Sequence, residues 1–162
     1  MKKLVAFGMV VLLVGVFGIA YSADNVNQTV TYEVQAVNEI DVSGNPGALI
    51  VSSATAGSEP SAATDATTSY SITTNGSNKK ITGILDSAMP TNTSLGVTLT
   101  APTGGSSAGQ VTLSATAQDL VTGISTLAES GLTISYEFSA NAAAGVIASA
   151  QKTVTFTVAD GS

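Results

Sequence analysis

Apolar and polar residues alternate along residues 26–36, which follow an apolar N-terminal run. The positions on one side of this alternation carry Gln28 and five apolar residues: Val26, Val30, Tyr32, Val34 and Ala36. A period of two over this length predicts an extended strand with one apolar face. The strand either pairs within its own chain, as the first strand of a sheet, or pairs with another molecule.

Shorter alternating or apolar runs predict further strands. They lie at 48–51, 69–74, 79–85, 95–101, 111–117, 120–124, 132–138 and 154–158. Ile40 and Val42 continue the parity of 26–36, which predicts one long strand with a bend or bulge at Asn38-Glu39. The turn sequence NGSN at 75–78 predicts a hairpin between 69–74 and 79–85, whereas residues 52–68 predict an irregular connection. About eight to ten short strands separated by turn signals favour an all-β chain with a single antiparallel, immunoglobulin-like sandwich.

The N-terminus predicts export. Lys2 and Lys3 precede an uncharged apolar run of 17 residues, and Ala20 and Ser22 provide small side chains for a cleavage site after Ser22. We therefore predict a signal peptide over residues 1–22, an N-terminal extension over 23–37 and one sandwich domain over 38–162. Because the apolar run is at the lower limit for a membrane span, an uncleaved anchor is the alternative.

Charge restricts the kinds of binding partner, and the lack of cysteine restricts how the chain can be stabilised. Beyond residue 22 the chain has 3 lysines, no arginine and 11 acidic residues, which gives a net charge of 3 − 11 = −8. Nucleic acids and anionic membranes attract clustered basic charge, so we expect no nucleic-acid partner and no membrane contact after signal cleavage. An exported chain with no cysteine must be stabilised by packing, hydrogen bonds or assembly.

The residue types also restrict the chemistry. The chain has no His and no Cys, which excludes Ser/His and Cys/His nucleophilic pairs and ordinary zinc or copper sites. The acidic residues are scattered, and we interpret Glu39 and Asp41 as solvated surface charges rather than as a catalytic pair. We therefore predict a protein that is not an enzyme, with no catalytic residues, no cofactor and no metal.

Four stretches agree in order and spacing with one group of secreted proteins. They are 27–37 (NQTVTYEVQAV) continuing to Ile40-Asp41, 74–81 (TNGSNKKI), 109–117 (GQVTLSATA) and the terminal Gly161-Ser162. In these stretches the chain resembles the cysteine-free fimbrial major subunits of the alternate (class 5, colonisation-factor-antigen type) chaperone–usher pathway. It is similar in outline to spore-coat-U-like secreted sandwich proteins too, but those normally carry cysteines.

The resemblance implies a pilin-like sandwich that is completed by the N-terminal strand of the next subunit. Val30, Tyr32, Val34 and Ala36 would then fill a groove in that neighbour. It also implies three partners: further copies of this chain in a homopolymer, a periplasmic chaperone and an outer-membrane usher. Two positions depart from the family pattern, because Tyr32 is larger than the usual donated residue and Ala36 stands where the family tends to have Pro.

Two functions follow as predictions. The first is a secreted structural subunit of a cell-surface filament that polymerises by donor-strand complementation, with Val26, Val30, Tyr32, Val34 and Ala36 at the subunit interface. The alternative is a monomeric secreted β-sandwich that binds a surface polysaccharide or an extracellular matrix component. In that case residues 26–36 form an ordinary internal strand. The lack of Trp in the chain argues against sugar binding.

Overall fold

The structure, a computed structural model, describes residues 24–162, so the predicted signal peptide over residues 1–22 lies outside the described residues. Val34–Ser162 make up one compact unit, and the described residues before it, 24–33, belong to a second unit. The described part contains nine strands: β1 (Asn38–Val42), β2 (Ala63–Thr74), β3 (Lys79–Leu85), β4 (Thr93–Leu99), β5 (Ser106–Ser107), β6 (Val111–Thr112), β7 (Gln118–Ile124), β8 (Leu127–Ala140) and β9 (Val154–Asp160). A 3₁₀ turn at Ala142–Ala144 precedes β9.

The strands form two antiparallel sheets. Sheet I has the order β1-β2-β8-β4-β6, and sheet II has the order β5-β7-β3-β9. The predicted all-β architecture is confirmed, and two antiparallel sheets that enclose one core are consistent with a β-sandwich. The predicted boundaries between signal peptide, extension and sandwich domain stay predictions.

Both sheets contribute one face to a common apolar core. Along β2 the buried positions alternate with more exposed ones, and this alternation places Tyr70 and Ile72 in the core. The fully buried side chains include Ile81 and Leu85 of β3, Val97 and Leu99 of β4, Leu120, Val121 and Ile124 of β7, and Ile134 of β8. Gly83 lies between Ile81 and Leu85, and a Cβ there would come within 2.8 Å of the Leu120 side chain. The missing side chain therefore gives Leu120 its place in the core.

The predicted hairpin between 69–74 and 79–85 is wrong. β2 pairs with β1 and β8 in sheet I, whereas β3 pairs with β7 and β9 in sheet II. Residues 75–78 therefore connect the two sheets. A turn sequence between two alternating runs is found both in hairpins and in connections between two sheets. Periodicity cannot separate the two cases, because it identifies the inward-facing residues of a strand and not the strands beside it.

Several strand limits also differ from the predicted ones. β2 begins at Ala63, inside the region predicted to be irregular, because its Thr-rich first half pairs with β8 from Ala63 opposite Phe138 onward. Residues 48–51 form no strand, and only Val111–Thr112 of the predicted strand 111–117 are paired, with β4. Backbone pairing in the sheet thus overrides the weak local pattern of these segments.

Candidate functional site

The last strand of the chain, β9, lies at the edge of sheet II. It pairs with β3 alone, from Val154 opposite Leu85 to Asp160 opposite Lys79. Its other edge has no ladder partner among the described residues. An edge strand of this kind presents a row of backbone N–H and C=O groups that can pair with a further strand.

This edge lacks the features that commonly protect sheet edges. β9 is seven residues long, consists mainly of Val, Thr and Phe, and contains neither Lys nor Pro. The opposite ends of the two sheets are formed by β5 and β6, which are two residues long. Short strands, Lys and Pro discourage edge-to-edge pairing, so β9 and the five-residue β1 are better suited to accept a strand than β5 and β6, and β9 is the longer of the two.

The inward-facing side chains of β9 are only half-buried. Val154, Phe156 and Val158 lie opposite Leu85, Gly83 and Ile81, which face the core. Leu85 and Ile81 are fully buried, whereas the three side chains of β9 keep part of their surface exposed while packing against the core. Apolar surface is therefore left uncovered along β9.

The same relationship holds along β1, the edge strand of sheet I. Ile40 lies opposite Ile72 and Val42 lies opposite Tyr70. Ile72 and Tyr70 are buried, but Ile40 is half-buried and 40% of Val42 is exposed. Both edges thus carry inward-facing apolar residues without complete cover.

β1 and β9 end their sheets on the same side of the domain, and the inward-facing apolar residues of both are incompletely covered. We use the name β1–β9 cleft for the residues Ile40, Val42, Val154, Phe156 and Val158 along these two edges. At some positions the Cα atoms of β1 and β9 come within 8 Å of each other. Two strands that flank a third are about 9.6 Å apart, twice the spacing of neighbouring strands. The cleft must therefore widen at these positions to hold a strand that pairs with both edges.

The five residues predicted from the alternation at 26–36 all lie exposed. The exposed fractions are 92% for Val26, 73% for Val30, 90% for Tyr32 and 84% for Val34, and Ala36 is exposed as well. Residues 24–37 belong to no strand, so the strand predicted over 26–36 is not formed within the chain, and the alternative that it pairs inside its own sheet is wrong. Several large apolar side chains exposed close together in the sequence favour an interaction surface over an ordinary solvent-facing segment.

Asn75 holds the end of the extension where it joins β1. The Asn75 side-chain amide donates to the Gln35 carbonyl oxygen over 2.7 Å. The Val37 N–H donates to Asn75 Oδ1 over 2.8 Å, and the Asn75 N–H donates to the Val37 carbonyl oxygen over 3.2 Å. The sequence marks Asn75 only as a turn residue, so this contact could not be predicted from it.

The end of β9 lies at the same end of the domain as Asn75. The Gly161 N–H donates to the Asn78 carbonyl oxygen over 2.7 Å, and Lys79 forms an ion pair with Asp160. The hydrogen bond and the positive charge of Lys79 lower the pKa of the Asp160 carboxyl below its ordinary value. We call this end of the domain, residues 75–78 with Gly161, the exit pole.

A second concave surface lies on sheet I. It is a shallow depression of about 450 Å³ lined by Thr64, Asp65, Ala66, Thr98, Gln110, Ser135, Tyr136 and Glu137. The N–H and the hydroxyl of Thr67 donate to the Asp65 carboxylate and lower its pKa. Seven of the eight lining residues carry a polar side-chain group, and Ala66 is the exception.

The remaining chemistry of residues 24–162 is sparse. In this range no group of three or more acidic side chains comes together in a way that could hold a metal ion. Within the same range, no helix is long and apolar enough to cross a membrane. No family of known proteins matches the chain, and neither does any curated protein or solved structure.

Proposed function

We propose that the chain is the structural subunit of a cell-surface filament, and that each subunit donates residues 26–36 to the β1–β9 cleft of a neighbour. The observation that carries this proposal is the edge of β9 that has no ladder partner within residues 24–162, beside half-buried Val154, Phe156 and Val158. An added strand would pair with the backbone of β9 and cover these side chains. The exposed alternation in residues 26–36 has the pattern that such a strand requires.

Strand order supports an immunoglobulin-like sandwich that lacks one strand. The seven-strand immunoglobulin sandwich has the sheets A-B-E-D and C-F-G. The order β1-β2-β8-β4 in sheet I corresponds to A-B-E-D and the pair β3-β9 in sheet II to C-F, whereas β5, β6 and β7 have no counterpart in this scheme. Strand G would lie beside β9, on the edge that has no partner among the described residues. The donated segment takes this place in the proposed filament.

The donated segment and the cleft also agree in length and in character. Residues 26–36 exceed the seven residues of β9, so the whole edge can be paired. Burial of a Val-sized side chain contributes roughly 1.5–3 kcal/mol, and several are buried together here. The ordering of the segment and of the two subunits opposes this gain. A ladder of backbone hydrogen bonds adds to it.

The direction of the donated strand follows from the positions of β1 and β9. The extension joins β1 at the exit pole, and β9 ends at that pole. In a filament of equally oriented subunits, the extension enters the next cleft from the opposite pole. Its N-terminus then points to the exit pole of that neighbour. The donated strand therefore runs antiparallel to β9, which is the more stable ladder geometry.

Substitutions within the extension test this proposal. We expect Val34→Asp to abolish filaments in electron micrographs, because a carboxylate would be buried against the apolar cleft. Thr31→Asp is the matched control, since it places the same charge on the opposite face of the alternation and should leave filaments intact. Normal filaments from Val34→Asp would refute the proposal. Equal loss from both variants would also contradict it, since the face of the strand would not matter.

The resemblance adds a periplasmic chaperone and an outer-membrane usher to the proposed partners. Export through the periplasm to the cell surface is part of the same proposal. An exposed apolar segment and an edge strand with half-buried apolar side chains require protection before assembly, because both are prone to pairing with other molecules. Co-purification of the exported chain with a periplasmic protein that is displaced on assembly would support this part.

The depression on sheet I favours a second candidate, a monomeric sandwich that binds a polysaccharide. Asp65, Gln110, Ser135 and Glu137 line it, and carboxylates and amides are suitable hydrogen-bonding partners for sugar hydroxyls. In this case removal of residues 24–33 leaves binding unchanged. Glycan-array binding that survives this truncation, together with no filaments from the whole chain, would favour the second candidate.

A further inference from the structure

Asn75 makes three hydrogen bonds to two residues of the segment that precedes β1. Its side chain donates to the Gln35 carbonyl oxygen and accepts from the Val37 N–H, and its own N–H donates to the Val37 carbonyl oxygen. The ladder between β1 and β2 ends at Asn38 opposite Thr74. The hydrogen bonds of Asn75 therefore hold the segment before β1 against the domain as far as Gln35, three residues beyond the last ladder pair.

The turn that carries Asn75 is itself held in place. Thr74 is buried, and its hydroxyl donates to Asn38 Oδ1 over 2.8 Å and accepts from the Gly76 N–H over 3.1 Å. The Thr126 N–H donates to the Gly76 carbonyl oxygen over 2.9 Å. Asn75 is thus fixed between two neighbours that are anchored to sheet I and to the loop before β8.

Asparagine suits this position because its side chain offers one acceptor and two donors within a short reach. The Asn75 side chain bonds to two backbone groups of the segment as a backbone amide of an adjacent strand would. An aspartate can accept from Val37 but cannot donate to Gln35, and an alanine can do neither.

We propose that Asn75 is a positioning residue that fixes the direction in which residues 35–37 leave the domain, and so stiffens the junction between consecutive subunits. This inference rests on the proposed function and narrows the donated part of residues 26–36 to those before Gln35, because Gln35 and Val37 are bonded to Asn75 of their own subunit. The Asn75 contacts leave little free chain between the donated strand and β1. Two neighbouring domains then keep a defined angle instead of swinging on a flexible linker.

Hydrogen exchange in the exported chain, with its extension intact, tests whether Asn75 holds residues 35–37. This test does not depend on filament formation. We expect Asn75→Ala to raise the exchange rate of the Val37 amide roughly fivefold, since a typical net hydrogen bond is lost. Asn75→Asp keeps the acceptor for this amide and should retain most of its protection. Ser77→Ala is the matched control in the same turn, and the Ile72 amide in β2 serves as the internal reference. An unchanged Val37 amide in Asn75→Ala overturns the inference.

The stiffness of filaments tests whether the Asn75 contacts stiffen the junction between consecutive subunits. Filaments of Asn75→Ala should show a shorter persistence length in electron micrographs than those of the wild type and of Ser77→Ala. Unchanged stiffness together with faster exchange overturns the role in the junction. If the wild type forms no filaments, the proposed function fails, and the exchange rates alone then decide whether Asn75 holds the segment.

Discussion

Val42 and Tyr70 lie opposite each other in the ladder between β1 and β2 and face the same interior, yet 40% of Val42 is exposed against 1% of Tyr70. Adjacent residues on one face of a sheet differ in this way where the covering layer ends. β9 shows the same relationship to β3 in the other sheet. The uncovered residues of both edge strands meet on one side of the domain, and this side is where the proposed donated strand binds.

Truncation of Phe156 should weaken the binding of a donated strand. Phe156 is the largest side chain of the β1–β9 cleft and is half-buried. We expect Phe156→Ala in the compact unit Val34–Ser162 to lower the affinity of that unit for a peptide of residues 24–37 by roughly tenfold or more. A tenfold loss corresponds to about 1.4 kcal/mol. Isothermal titration calorimetry measures this change.

Thr157→Ala is the control for Phe156→Ala, because Thr157 is exposed and lies opposite Thr82, away from the core. It should leave the affinity unchanged. Phe156→Ala also destabilises the domain, by less than the roughly 3–5 kcal/mol of a fully buried Phe. If the two variants bind the peptide equally well, the peptide does not cover Phe156.

Gly83 is expected to tolerate no side chain. An added Cβ would come within 2.8 Å of Leu120 and 3.1 Å of Leu113. Overpacking of this kind commonly costs about 1–3 kcal/mol, so Gly83→Ala should lower the free energy of unfolding by that amount. Urea denaturation measures it, and Thr82→Ala at the neighbouring outward position is the control. A Gly83→Ala variant as stable as the wild type would show that Leu120 has another place to pack.

Alkaline pH should unfold the domain through its buried tyrosines. Burial raises the pKa of Tyr70 and of Tyr136 to about 12, from an ordinary value of 10.0, and the charge of Glu129 adds to the effect at Tyr70. The folded state therefore holds these protons more tightly than the unfolded state. Their contribution to stability is complete below pH 10.0 and is lost between pH 10.0 and about 12.

Phenolate absorbance followed with circular dichroism tests this pH dependence. Deprotonation of the two buried tyrosines should coincide with loss of the folded signal. Tyr70→Phe removes one of these groups, along with the hydrogen bond from its hydroxyl to the Thr100 carbonyl oxygen. The free energy of unfolding of the Tyr70→Phe variant should therefore fall less steeply with rising pH than that of the wild type. Deprotonation of both tyrosines in a chain that stays folded would contradict their burial.

Regular alternation predicted several strands and their inward faces, but the longest alternation, residues 26–36, forms no strand within the chain. The strand 79–85 agrees with β3, and the inward positions of 154–158 agree with the half-buried residues of β9. A residue that faces an apolar core is recognisable because burial selects its side chain. Tyr70, Tyr136 and Phe138, at inward positions of the predicted strands, lie in or against the core, whereas Tyr32 in the alternation at 26–36 is 90% exposed.

Strand neighbours could not be predicted in this way. The hairpin predicted around residues 75–78 joins strands of different sheets, and nothing in the alternation of β1 or β9 marks them as edges. Whether a strand has one partner or two depends on the order of the whole sheet, which is set by contacts distant in sequence. The bonds of Asn75 to Gln35 and Val37 were missed for the same reason, since they span 40 and 38 residues.

Complementation by a peptide tests the central claim most directly. The compact unit Val34–Ser162 lacks most of the extension and is the acceptor, and a synthetic peptide of residues 24–37 is the donor. We predict a saturable rise in melting temperature. At a peptide concentration 100 times Kd the domain gains about 2.7 kcal/mol, or roughly 10 °C. A peptide with Tyr32→Asp and Val34→Asp should have no effect. A folded acceptor whose melting temperature responds to neither peptide would contradict assembly by strand donation.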